Sequence, residues 1–215
     1  MKKLLVFCIV VAVVLSMSVT VFAELGSFVS SPSTNGAPTL DKDNSDEGAN
    51  VVAYRDRDGS LSAEEVADLE AAYADIVGAD NLVDLVPSLE EIANKLSVNV
   101  NGLAVSDLFH VELANDGEEH HLRFNAKTLG NIVSLMHFVD GHWRLVADME
   151  VVDEETIDVV VDASGVYAVV VSTDGTPVYP QGLSTGAIIG IIAAIVVVAG
   201  AAVAAVIIIK KRKNA

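Results

Sequence analysis

Between Ala187 and Ile209 every side chain is apolar, and Lys210-Lys211-Arg212-Lys213-Asn214-Ala215 follow at once. A run of about 20 apolar residues, at about 1.5 Å rise each, matches a hydrocarbon core about 30 Å thick, so residues 187–209 are expected to cross a bilayer as a helix. Basic residues are retained on the cytoplasmic side. Residues 210–215 are therefore expected to form a short cytoplasmic tail of a single-pass plasma-membrane protein whose remaining chain lies outside.

The other end fits that orientation. Lys2 and Lys3 precede an apolar stretch from Leu4 to Leu15, and Val21-Phe22-Ala23 offers a cleavage site, so residues 1–23 read as a signal peptide cut after Ala23. The sole cysteine, Cys8, lies inside this segment behind Phe7, where a bacterial lipidation box needs a small residue. The mature chain is then expected to carry neither disulfides nor cysteine–metal sites.

Charge divides along the same boundaries. Of 13 Lys and Arg, two fall in the signal and four in the tail, which leaves seven against all 30 Asp and Glu, a net of −23 for the exported part. Such a field repels nucleic acid and excludes it as a partner. It could attract divalent cations or basic partners, although a solvated exterior is the favoured explanation.

Composition marks further boundaries. Residues 24–50 are rich in Ser, Pro, Asn, Gly and Asp, with few large apolar side chains to offset ordering entropy, and are expected to be a disordered N-terminal arm. Residues 173–186, with Gly175, Pro177 and Pro180, read as a juxtamembrane linker. The remaining 51–172 are long enough for one domain with a modest core.

Within that domain, Ser62-Ala63-Glu64-Glu65 has the form of a capping box, and Val66, Leu69, Ala72, Tyr73, Ile76 and Val77 recur at helical spacing up to Gly78. A second helix is expected from Ser88 to Leu96 behind Pro87. From Val105 the period becomes two. Phe109–Leu113 and Leu122–Ala126 are expected to pair as a hairpin around Asn115-Asp116-Gly117. Residues 132–139 and 142–147 flank Asp140-Gly141, a type I′ turn that sets Phe138 opposite Trp143 and His137 opposite Arg144. Two more strands, 156–161 and 166–172, complete six. The expected fold class is α+β: two short helices followed by a small antiparallel, Ig-like β-sandwich, plus one C-terminal transmembrane helix.

Three constellations invite a chemical reading. Residues 54–65 overlay a calcium loop, with Asp56, Asp58 and Glu65 at ligand positions, but Tyr54 occupies the first position, where a carboxylate is needed. A turn entering a capping box accounts for the same residues. In the expected hairpin His110, Glu112, His121 and Arg123 share a polar face that could hold zinc or copper, which an ordinary solvated strand face also explains. Gly186-Ala187-Ile188-Ile189-Gly190 is a small-residue pattern through which two membrane helices could contact and form a weak homodimer. No nucleophile elbow, metalloprotease helix or phosphate loop is present, so no enzyme and no cofactor is expected.

The segments Tyr-Arg-Asp-Arg (54–57), Leu-Glu-Ala-Ala-Tyr (69–73), Val-Ser-Asp-Leu-Phe (105–109) and Leu-Met-His-Phe-Val-Asp-Gly-His-Trp (135–143), in this order of parts, resemble a group of short, uncharacterised Firmicutes (Clostridia-type) cell-surface proteins. The resemblance implies a signal peptide, a compact ectodomain, one membrane helix and a basic tail, and assigns no catalytic or ligand role to any residue. Related Gram-positive proteins carry Leu-Pro-x-Thr-Gly ahead of the span. Here Gln181-Gly182-Leu183-Ser184-Thr185-Gly186 lacks the proline, so the helix is expected to remain the anchor. The expected role is extracellular binding of a protein or glycan, or structural display at the envelope. The alternatives are a calcium- or zinc-binding surface module and an accessory ectodomain of a membrane complex.

Overall fold

The computed structural model describes residues 27–33, 36–146 and 148–174. The signal segment with Ala23, the apolar run with Gly186 and Gly190, and the basic tail lie outside the described residues. Among the described residues no helix is long and apolar enough to cross a membrane.

Nine strands are described: β1 (Thr39–Leu40), β2 (Asn50–Ala53), β3 (Leu103–Glu112), β4 (His120–Asn125), β5 (Ile132–Val139), β6 (His142–Leu145), β7 (Asp148–Val151), β8 (Thr156–Val161) and β9 (Gly165–Ser172). They form two antiparallel sheets, ordered β1-β4-β8-β7 and β2-β3-β9-β5-β6. Three helices, α1 (Ala63–Gly78), α2 (Leu82–Leu85) and α3 (Ser88–Leu96), lie between β2 and β3 in sequence.

Helix α1 begins where the capping box places it. Glu65 N–H donates to Ser62 Oγ at 3.3 Å, and Ser62 N–H donates to Glu65 Oε2 at 2.7 Å, so two otherwise orphaned donors are satisfied reciprocally. Its buried face carries Leu69, Ala72 and Ile76, and α3 adds Leu89, Ile92 and Ala93. These side chains pack with Val105, Leu108, Met136 and Val170 of the five-stranded sheet. A second core joins Phe109, Leu135, Tyr167 and Val169 of that sheet to Phe124, Ile157 and Val159 of the other. The helices therefore cover the outer face of the five-stranded sheet, which becomes a middle layer buried on both sides.

That position explains the character of β9, in which Val166, Ala168 and Val170 face the helical core while Tyr167, Val169 and Val171 face the other sheet. Strands buried on both faces lose the apolar–polar alternation. In β3 the register shifts between Val105 and Asp107, so Val105 and Leu108 meet the helical core whereas Phe109 and Val111 meet the inter-sheet core.

Three expectations are corrected. Strands β3 and β4 do not form a hairpin: β3 pairs with β2 and β9, and β4 with β1 and β8. The loop between them, with Gly117 at φ 89°, carries the chain from one sheet to the other. The shared polar face of His110, Glu112, His121 and Arg123 falls with the hairpin. His110 is buried in the middle sheet, while His121 is exposed on the other one.

The described part of the expected disordered arm lies along the domain. Phe28 is buried and bridges to Val105, and Thr39 and Leu40 pair with Asn125 and Phe124. Asp41 and Asp46 then donate their backbone N–H groups to Arg123 and His121 carbonyls at 2.9 and 2.8 Å. Ser45 Oγ and Asp46 Oδ2 accept from Arg123 and His121 N–H groups at 2.9 and 2.7 Å. This segment covers an otherwise open strand edge, and hydrogen bonds rather than apolar burial hold most of it. Helix α2, capped by Asn81 Oδ1 accepting from Val83 N–H, and strands β1 and β7 had no expected counterpart.

Candidate binding cleft

The Asp140-Gly141 turn adopts positive φ at both positions, 51° and 76°, and sets His137 opposite Arg144 and Phe138 opposite Trp143. On its other side β5 places His137 opposite Tyr167 of β9. The two rings stack at 4.2 Å with 5° between their planes. Where this corner of the middle sheet faces the β7–β8 edge, a cleft of about 290 Å³ opens, bounded by His137, Tyr167, Arg144, Glu119, Asp148 and Asp162.

The loop after β8 is firmly held. Asp116 Oδ1 accepts from both the N–H and the Oγ of Ser164, each at 2.7 Å, which holds its carboxyl below the usual range. The Ser164 hydroxyl also accepts from Leu113 N–H at 3.0 Å, and Tyr167 donates its hydroxyl to Ala163 O at 2.7 Å. Burial first, and then the Asp162 charge, push the Tyr167 phenol upward. Tyr167 therefore acts as a neutral hydrogen-bonded wall.

His137 is 4% exposed, and its Nε2 has no hydrogen-bond partner. Burial, with Arg144 second, pushes its pKa down to about 4, while the nearby Ser164 backbone and Asp162 oppose that shift. The ring is neutral at physiological pH. Gly165, at φ 147°, packs so closely that a Cβ there would sit 2.7 Å from Nε2.

The expected metal candidates are dispersed. Tyr54, at the first calcium position, is a buried anchor: its hydroxyl donates to Glu70 Oε2 at 2.8 Å, and Arg57 lies 4.1 Å over its ring while donating to Glu70 Oε1 at 2.7 Å. Asp56 is exposed and contacts Arg55 at 3.2 Å, and Asp58 is exposed. Glu65 is committed to the capping box, with Oε1 3.9 Å from His110 Nε2. His110 Nδ1 has no partner, and burial lowers its pKa against the pull of Glu65 and Glu112. Among the described residues no three His, Cys, Asp or Glu side chains are grouped to hold a metal ion.

No family model, curated protein or solved structure matches the chain. The cleft itself escapes sequence reasoning except for His137 opposite Arg144, because Tyr167, Asp162, Glu119 and Asp148 join it through strand pairings and sheet stacking that no local signal encodes.

Proposed function

We propose that the chain is a membrane-anchored extracellular module of the bacterial cell envelope, with an Ig-like sandwich that binds or displays at the end away from the bilayer. The observation that carries this reading is the polarity of β9. Leu103 pairs with Ser172 at one end of the β3–β9 ladder and Val111 with Gly165 at the other, a span of about 23 Å at about 3.3 Å per residue. The cleft and the Asp116, Asp140 and Asp162 loops sit at the Gly165 end. From the Ser172 end the chain continues toward the apolar run.

Thr173 fastens that exit, donating both N–H and Oγ1 to Gly102 O at 2.8 and 2.9 Å. The short interval to residue 187 would hold the domain near the membrane with its cleft outward. Loops at one end of a sandwich are where such domains commonly bind.

Intact cells bearing the chain test the topology. A membrane-impermeant amine reagent should label the exposed Lys42, Lys95 and Lys127 while sparing Lys210, Lys211 and Lys213 until the cells are opened. Equal labelling of the tail in intact cells would overturn the orientation. Capture of envelope glycans or proteins by the displayed domain then tests binding.

A further inference from the structure

Where β3 begins and β9 ends, the two strands meet at a dipeptide with a chemistry of its own. Asn101-Gly102 lies in the single 3-10 turn Val100–Gly102 that leads into β3. Asparagine is thermolabile, and a glycine after it, having no Cβ, leaves its peptide nitrogen unshielded and its backbone free to turn. Once solvent base takes the Gly102 amide proton, the nitrogen can bond to Cγ of Asn101, and the Cγ–Nδ2 bond breaks with loss of ammonia. Water then opens the cyclic imide at either carbonyl and gives aspartate or isoaspartate. Solvent reaches the position, because Asn101 is exposed and borders a cleft of about 260 Å³ with Asp80 and Thr173.

The fold holds both reacting groups in other hydrogen bonds. Gly102 N–H donates to Asn99 O at 2.9 Å, which occupies the attacking nitrogen. Asn101 is held twice: its Oδ1 accepts from Asn81 Nδ2 at 3.1 Å, and its N–H donates to Asn99 Oδ1 at 3.0 Å. The turn is in turn fastened to the end of β9. Gly102 O accepts from Thr173 N–H and Oγ1 at 2.8 and 2.9 Å, and Asn99 N–H donates to Asp174 Oδ2 at 3.3 Å. Attack requires the turn to open, and these contacts oppose that opening.

We propose that Asn101 is a self-modification site, kept unreactive by the fastening of Thr173 on Gly102 and converted to isoaspartate when that fastening lets go. Conversion is one-way. Isoaspartate routes the main chain through its own side chain, which adds a methylene ahead of Gly102 and shifts the carbonyl that Thr173 holds. It also leaves a new carboxylate at a corner that already carries Asp80 and Asp174, and like charges repel. Both changes oppose re-closure, so a chain whose exit has opened stays marked, whatever the domain binds.

The test is incubation of the full chain in detergent at neutral pH, with conversion at Asn101 followed by peptide mass spectrometry that separates isoaspartate from aspartate. A synthetic peptide of residues 96–107 gives the unrestrained rate, and Asn101→Gln gives the background. The folded chain is expected to convert at least about tenfold more slowly than the peptide, an opening cost of about 1.4 kcal/mol or more. Thr173→Pro, which lacks both donors, should convert about fivefold or more faster than the parent. Asn99→Ala, which frees the Asn101 N–H, should act in the same direction, and it decides the matter if Trp143 emission shows that Thr173→Pro does not fold.

The proposal is overturned if the folded chain converts as fast as the peptide, or if the deciding variant converts no faster than the parent. Converted chains should exchange the Thr173 amide hydrogen faster than unconverted ones, and equal exchange would overturn it as well. Either failure leaves the display reading untouched, because the surface labelling does not depend on Asn101.

Discussion

Replacing His137 with Leu should remove a pH dependence that the fold builds into its stability. The imidazole has an ordinary pKa of 6.5 in the unfolded chain and about 4 in the native one. As pH falls through 6.5 the unfolded state takes up a proton first, and the native state follows only near 4. The stabilisation is therefore complete above about pH 6.5, declines below it and is gone near pH 4. At about 1.4 kcal/mol per pKa unit it amounts to about 3 kcal/mol.

Leu is close in volume, dispenses with the unpartnered Nε2 and loses the ring stack on Tyr167. These effects oppose each other, at about 1–3 and about 0.5–1.5 kcal/mol, so stability near neutrality should change little. Urea unfolding can be followed by the single tryptophan, Trp143, which is 6% exposed in the helical core. Between about pH 7 and pH 4 the parent should lose about 3 kcal/mol relative to His137→Leu. His110, also lowered by burial, is present in both proteins and largely cancels in the comparison. Parallel stability curves for the two proteins would refute the assignment of a neutral, buried His137.

Gly165→Ala should destabilise by about 1–3 kcal/mol, because the native φ of 147° disfavours a side chain and the new Cβ meets His137 Nε2. Thermal melting would show it, and a variant as stable as the parent would mean that β9 enters the sheet differently. Ser62→Ala should cost about 1 kcal/mol through the lost cap at α1, measured by urea unfolding. Calcium at millimolar concentration should leave the melting temperature unchanged, because Tyr54 and Glu65 are already engaged by Glu70 and Ser62. A clear upward shift would restore the calcium-loop reading.

What could be read from the sequence was what is decided locally. Ser62 and Glu65 are three residues apart, so the start of α1 depends on nothing distant. Asp140-Gly141 fixes the β5–β6 register by its own backbone angles, and His137 met Arg144 as expected. The β3–β4 hairpin failed because period-two alternation identifies a strand without naming its partner. Val111 of β3 pairs with Gly165, far along the chain, and Leu122 of β4 with Val159 in the other sheet. The N-terminal segment failed for a different reason. Its poverty in apolar residues was real, but Asp41, Ser45 and Asp46 order it by supplying the hydrogen bonds that the edge of β4 lacked. The cleft was invisible for the first of these reasons, since its acids come from separate segments.

The central place of β9 has a mechanical consequence. A pull on the chain beyond Ser172 acts along β9, which is bonded to β3 on one side and β5 on the other. Tension then loads both ladders in shear, so many hydrogen bonds must yield together rather than one at a time from an edge. Because both cores press on the same strand, its extraction would open them simultaneously. The domain should therefore resist a tether at this end until it fails as a whole.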